Sequence, residues 1–249
     1  MNVIKFSAYL CVSLICSMSF AAEWKNPDQQ QPDGRQTTDR SQPAARPATR
    51  APQATADQPV LLSGELGLEV NWVCEMEPAY NDKGTGGAQD VQFFQPLLPP
   101  GYGMLGGYAQ GNHHGASGCL LAVRPVNDAS NALLQPASTW RQIWTDENSG
   151  GTLDGSIWHA QAASPDYVCL GSIAKQGYSQ PNLANYACVH QCLVEEIQVA
   201  GYIWSDAGTG ASQDVSIYRL HNSNGFYAVS THDAPRTLLD IRRNTVCNF

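Results

Sequence analysis

The chain has 249 residues, eight cysteines and a formal net charge of −8. Such an acidic balance argues against a nucleic-acid partner and against plain electrostatic adhesion to anionic lipid. Beyond the N-terminus, no apolar run is long enough for a membrane-spanning helix.

Residues 1–22 read as a secretory signal peptide. Lys5 gives the basic start, Ala8 to Phe20 the apolar core, and Ser19-Phe20-Ala21 a small-x-small cleavage signal. Ile15 before Cys16 does not fit a lipoprotein signal. Residues 23–58 read as a disordered linker rich in Pro, Gln and Ala. Between Lys25 and Val60 there is no Leu, Ile, Val, Phe, Tyr or Trp. Such a segment cannot bury enough apolar area to offset its ordering entropy. Residues 59–249 then form one domain of a size that supports a sizeable core.

Within that domain one pattern occurs three times. The copies run Asp82-Lys83-Gly84-Thr85-Gly86 to Asp90, Asp146-Glu147-Asn148-Ser149-Gly150 to Asp154, and Asp206-Ala207-Gly208-Thr209-Gly210 to Asp214. Their first Asp residues lie 64 and then 60 residues apart. A period of that size implies one supersecondary unit used three times. The flanks repeat as well, with Ile143-Trp144-Thr145 and Ile203-Trp204-Ser205 before the second and third copies. Alternating runs follow each copy: Val91-Gln92-Phe93-Phe94, Gly155-Ser156-Ile157-Trp158 and Val215-Ser216-Ile217-Tyr218. Each unit therefore predicts a strand, a Gly-rich hairpin, a second strand, a turn and a third strand. Units of about 70–130, 140–196 and 200–249 follow.

Three β units of this length bury their apolar faces economically as three small sheets around a common axis. The predicted fold is all-β, a three-repeat β-prism with pseudo-threefold symmetry. A β-trefoil and a two-sheet sandwich are the alternatives. The six tryptophans, most of them at repeat positions, read as core.

Cys11 and Cys16 belong to the signal peptide. The other six, Cys74, Cys119, Cys169, Cys188, Cys192 and Cys247, predict up to three disulfides in a secreted or periplasmic protein. Cys74 with Cys119 is the preferred pair. On one strand Cys188 and Cys192 would stand roughly 13 Å apart, too far to bond each other or to share one ion.

The pattern Trp-x-Asp-x-Gly-[Ser/Thr]-Gly-x-x-x-Asp-Val-Ser, then Pro-x-Gly-Tyr-x-x-Leu-Gly, resembles the family of vacuolar protein sorting-associated protein 62. Trp204 to Ser216 match in the third unit, and Asp82 to Val91 with Pro100 to Gly106 in the first. The second unit departs at Asn148, Gly155 and Asp166. The chain is also similar to the β-prism domains of multivesicular-body sorting proteins, which implies membrane-surface contact.

The Gly-x-x-x-Asp segments are similar to the sugar loop of jacalin-type β-prism lectins. The resemblance implies glycan binding through Gly86, Asp90, Gly150, Asp154, Gly210 and Asp214. An ionised carboxylate accepts strong hydrogen bonds, and Gly lets backbone approach a ligand. The structural alternative is that Asp82, Asp146 and Asp206 are turn-formers bonded to their own backbone. Paired carboxylates also suit a hard cation, so Asp82, Asp90, Asp206 and Asp214 form an alternative calcium set. His113-His114 reads as part of a solvated loop, and no cofactor is implied. No Gly-x-Ser-x-Gly elbow occurs, and no catalytic residue is assigned.

The expected function is a secreted, non-catalytic recognition module for a glycan or cell-surface ligand. The targeting part of a secreted toxin, and a hydrolase whose residues converge only in the fold, are the alternatives.

Overall fold

The computed structural model describes residues 66–199 and 201–247. The predicted signal peptide and linker lie outside them. The described residues form seventeen short strands, one 3₁₀ turn at Gln191–Leu193 and no α-helix. The first six strands are β1 Gly67–Val73, β2 Met76–Asn81, β3 Gln92–Pro96, β4 Gly103–Met104, β5 Tyr108–Gln110 and β6 Leu120–Val126. The next six are β7 Leu134–Pro136, β8 Thr139–Thr145, β9 Gly155–Gln161, β10 Tyr167–Val168, β11 Ser172–Gln176 and β12 Ala187–His190. The last five are β13 Val194–Gln198, β14 Tyr202–Ser205, β15 Ser216–Arg219, β16 Phe226–Val229 and β17 Thr237–Ile241.

These strands make six small antiparallel sheets rather than the three expected. Three of them, β2-β3-β5, β8-β9-β11 and β14-β15-β16, are the hairpin sheets built around the Asp/Gly motifs. The other three are β1-β6-β4, β7-β12-β10 and β13-β17. The sequence shows only the first set, because only its strands flank a Gly-rich turn.

The hairpin sheets share one register. Tyr80 faces Phe93, which faces Ala109. Trp144 faces Ile157, which faces Ala174, and Trp204 faces Ile217, which faces Ala228. All nine side chains are buried in one cluster. The order in each sheet runs from an aromatic ring on the first strand to alanine on the third. A register shift precedes the aromatic residue each time, at Pro78/Tyr80, Gln142/Trp144 and Tyr202/Trp204. Such a bulge bends the strand and re-aims the side chain that follows. Here it turns Tyr80, Trp144 and Trp204 inward, where the two Trp rings meet edge to face at 5.7 Å.

A second cluster of Leu68, Leu121, Val123, Val189, Leu238, Ile241 and neighbours fills the remaining sheets. Between the clusters the backbones touch at the Gly residues of the third-strand motif. A Cβ on Gly171 would lie 2.8 Å from the Leu105 carbonyl oxygen. That contact, with the Gly171 N–H donating to the same oxygen at 2.7 Å, requires Gly.

Gly155 explains one departure of the second unit. Val91 and Val215 occupy the corresponding places, and both are fully buried. At Gly155 the Tyr80 ring fills the space, and a Cβ there would stand 2.1 Å from it. Gly155→Ala is therefore expected to cost about 1–3 kcal/mol or more by overpacking. That corresponds to a melting temperature lower by roughly 2–12 °C. An unchanged thermal transition would mean that Tyr80 yields freely.

Three disulfides hold the described residues: Cys74–Cys119, Cys169–Cys188 and Cys192–Cys247. The first clips paired strands together, since Val73 and Leu120 are register partners. Cys188 lies on β12 and Cys192 on the 3₁₀ turn, so the two do not share a strand face. Bonded to other partners, they offer no thiolate to a metal.

Candidate functional site: a closed rim of three Asp/Gly loops

Each hairpin begins with an Asp that is buried, and its carboxylate organises the turn. Asp82 Oδ1 accepts the Val91 N–H at 2.9 Å, Asp146 Oδ1 the Gly155 N–H at 2.8 Å, and Asp206 Oδ1 the Val215 N–H at 3.0 Å. The Asp carbonyls accept the N–H of Thr85, Ser149 and Thr209 at 2.9–3.2 Å. Those hydroxyls in turn accept the N–H of Gly87, Gly151 and Ala211. The turn-forming reading of Asp82, Asp146 and Asp206 describes this geometry.

The turn also needs left-handed backbone. Gly84, Asn148 and Gly208 have φ of 86°, 71° and 84°. Asn is among the few non-Gly residues that tolerate this region, so the second unit's departure at Asn148 preserves the turn.

The second oxygen of each buried Asp reaches a neighbouring unit. Tyr80 Oη donates to Asp146 Oδ2 at 3.3 Å, Trp144 Nε1 to Asp206 Oδ2 at 2.8 Å, and Trp204 Nε1 to Asp82 Oδ2 at 2.9 Å. The three bonds close a ring: first unit to second, second to third, third to first. The Tyr80 hydroxyl is pushed far up by burial and by the nearby Asp146 and Asp82 charges, so it remains a donor.

A second ring joins the loop backbones. Thr152 N–H donates to Lys83 O at 2.7 Å, Ser212 N–H to Glu147 O at 3.1 Å, and Ala88 N–H to Ala207 O at 3.2 Å. The three loops form one interlocked rim. On it stand Gly86, Asp90, Gly150, Asp154, Gly210 and Asp214, all exposed.

One further side chain completes each unit, and none of the three is a motif residue. His113 Nε2 lies 2.7 Å from Asp82 Oδ1, and its Nδ1 lies 3.7 Å from Asp90 Oδ2. His232 Nε2 lies 2.7 Å from Asp206 Oδ1 and 3.9 Å from Asp214 Oδ1. In the second unit Tyr178 Oη donates to Asp146 Oδ1 at 2.8 Å. The Asp206 hydrogen bond, then the Asp206 and Asp214 charges, raise the His232 imidazole above its usual range, with burial opposing. The Tyr178 hydroxyl is raised by burial and by its bond to Asp146.

His113 is thus no solvated loop residue. Its ring is 18% exposed and covers a carboxylate that is 2% exposed. Sequence reading missed His232 and Tyr178 altogether. They lie 26 and 32 residues beyond their Asp partners, with no motif between. The calcium set Asp82, Asp90, Asp206, Asp214 resolves into two separate pairs, each joined by an imidazole. A shallow pocket of about 180 Å³ opens at the first loop, lined by Asp82, Gly86, Gln89, Asp90 and His113 among others.

A family profile, that of vacuolar protein sorting-associated protein 62, matches residues 38–231. The chain belongs to this family. The Vps62 match spans all three loops of the rim. No curated protein sequence matches the chain. Among solved structures, the Vps62-family fold described here is similar to that of GNIP1Aa from Chromobacterium piscinae, with a TM-score of 0.60 and 30% sequence identity. The similarity covers 70% of this chain and 34% of that one. This chain therefore corresponds to about a third of the GNIP1Aa chain.

Proposed function

We propose that this Vps62-family chain is a secreted, non-catalytic recognition module, built as a three-repeat β-prism, that binds a polyhydroxyl surface ligand such as a glycan at its loop rim. The shared register of the three hairpin sheets supports the prism. Three disulfides fit an oxidising compartment outside the cytoplasm. The part-chain match to GNIP1Aa fits a module that occurs within a longer protein.

The observation that carries the binding reading is the pairing of two kinds of Asp. Asp82, Asp146 and Asp206 are buried and committed to the scaffold. Asp90 and Asp214 stand beside them with side chains 66% and 70% exposed. Acceptors held on an interlocked rim lose little freedom on binding, and a charged acceptor makes strong hydrogen bonds to hydroxyls. A pocket of about 180 Å³ is smaller than the sites of drug-sized ligands, and suits one ring or one headgroup at a time.

A glycan array, with liposomes as a parallel arm, tests this on the disulfide-bonded protein. Asp90→Asn and Asp214→Asn are each expected to weaken glycan binding about ten- to a hundredfold, the loss of a charged hydrogen bond. The melting temperature should hold. Binding only to liposomes, or glycan affinity unchanged in the double variant, would overturn the glycan reading.

A further inference from the structure

We propose that His113 with Asp82 and Asp90, and His232 with Asp206 and Asp214, are two divalent-cation sites of the zinc class. The donors in each set, one imidazole nitrogen and two carboxylate oxygens, lie within 4.8 Å of one another. Around a four-coordinate ion with bonds of about 2.0–2.2 Å, neighbouring donors stand roughly 3.3 Å apart. At His232 the distances to Asp206 and Asp214 are 2.7 and 3.9 Å, one shorter and one longer than that. A shift of about 0.6 Å in each would seat an ion. At His113 the 2.7 and 3.7 Å contacts involve different ring nitrogens, so seating an ion there also turns the exposed Asp90 toward Nε2.

The inner carboxylates are already oriented for this. Asp82 is held by the Val91 N–H and the Trp204 indole, and Asp206 by the Val215 N–H and the Trp144 indole. Outer hydrogen bonds of that kind are what fix ligating groups in metal sites. Asp90 and Asp214 are 66% and 70% exposed, so their side chains have room to turn on a loop backbone that stays fixed.

The second unit separates this reading from a purely structural one. Tyr178 caps Asp146 with a hydroxyl at 2.8 Å, as well as either His caps its Asp. Capping therefore does not require imidazole, yet two of the three units use it. An imidazole also changes the ion. Carboxylates alone suit calcium or magnesium, whereas a nitrogen donor beside them favours zinc and its neighbours. Three protein donors leave a fourth position open. The inference stands apart from glycan binding, because metal binding is read directly.

The test is titration of the disulfide-bonded protein with Zn²⁺ alone against a chromophoric chelator, at neutral pH. Wild type is expected to bind two more Zn²⁺ per chain than the double variant His113→Gln/His232→Gln, and each single variant one more. Gln keeps an N–H donor for the buried Asp, so the fold should survive. Should it not, Asp90→Asn with Asp214→Asn removes exposed ligands and should show the same loss of two ions. A hundredfold excess of Ca²⁺ should not displace the zinc. Equal zinc stoichiometry in wild type and variants, or ready displacement by Ca²⁺, would overturn the proposal.

Discussion

Reduction of the three disulfides is expected to unfold the domain at physiological temperature. The bonds close loops of 45, 19 and 55 residues. Chain entropy assigns about 3–4 kcal/mol to each loop of this size. The loops do not overlap in sequence, so each bond constrains a different part of the unfolded chain and the contributions add. The sum is about 10 kcal/mol, comparable to the whole stability of an ordinary domain, which is about 5–15 kcal/mol. At roughly 2–4 °C per kcal/mol, the thermal transition should fall by more than 20 °C, or vanish. Circular dichroism with and without a phosphine reductant measures this. An undiminished transition after complete reduction would show that the sheets carry the fold alone. Thiol titration of the unfolded, unreduced protein should find none of these six cysteines free.

The second large effect is expected at the buried Asp ring. Asp206 is 3% exposed and accepts the Val215 N–H, the Trp144 indole and the His232 imidazole. Asp206→Ala strands a backbone N–H and an indole N–H in the interior. Each such orphaned donor costs about 1–3 kcal/mol. Together with the lost tie between units, a destabilisation of about 3–5 kcal/mol is expected, within the sum of two such orphaned donors. The melting temperature should fall by roughly 6–20 °C. Asp206→Asn should recover part of this, since one oxygen remains for one of the two donors. Asp214→Asn, on the exposed outer carboxylate, should change stability by no more than about 0.5 kcal/mol. Equal effects of Asp206→Ala and Asp214→Asn would mean that the two Asp positions have no division of labour.

That division is what the motif's two Asp residues look alike in sequence but do not share in space. The first Asp follows a strand and turns its carboxylate inward to the backbone of the returning strand, while the second ends the loop facing water. Both are a few residues from the same glycines. Only the direction of the side chain, set by the bulge and the register, distinguishes them.

Much of this molecule is local, and local features leave marks in the sequence. Gly84, Asn148 and Gly208 mark left-handed turn positions, because few residues adopt that backbone. The β-branched and aromatic runs after each loop mark strands, and the structure buries both faces of each. Cys74 and Cys119 flank strands that pair, so their bond closes what the strands already align. By itself the sequence determined the all-β class, the three hairpins with their turn-forming Asp residues, and membership of the Vps62 family.

The rest is decided where units meet. The Tyr80, Trp144 and Trp204 bonds to Asp residues cross 62–122 positions of chain. A contact between units imposes no spacing rule, so no motif announces it. The extra sheets, β1-β6-β4, β7-β12-β10 and β13-β17, pair strands that are not neighbours in the chain. Gly155 makes sense only once the Tyr80 ring of another unit lies against it. His113, Tyr178 and His232 reach the buried carboxylates from loops that share no residue pattern. Packing alone brings an imidazole, and in one unit a phenol, onto each Asp.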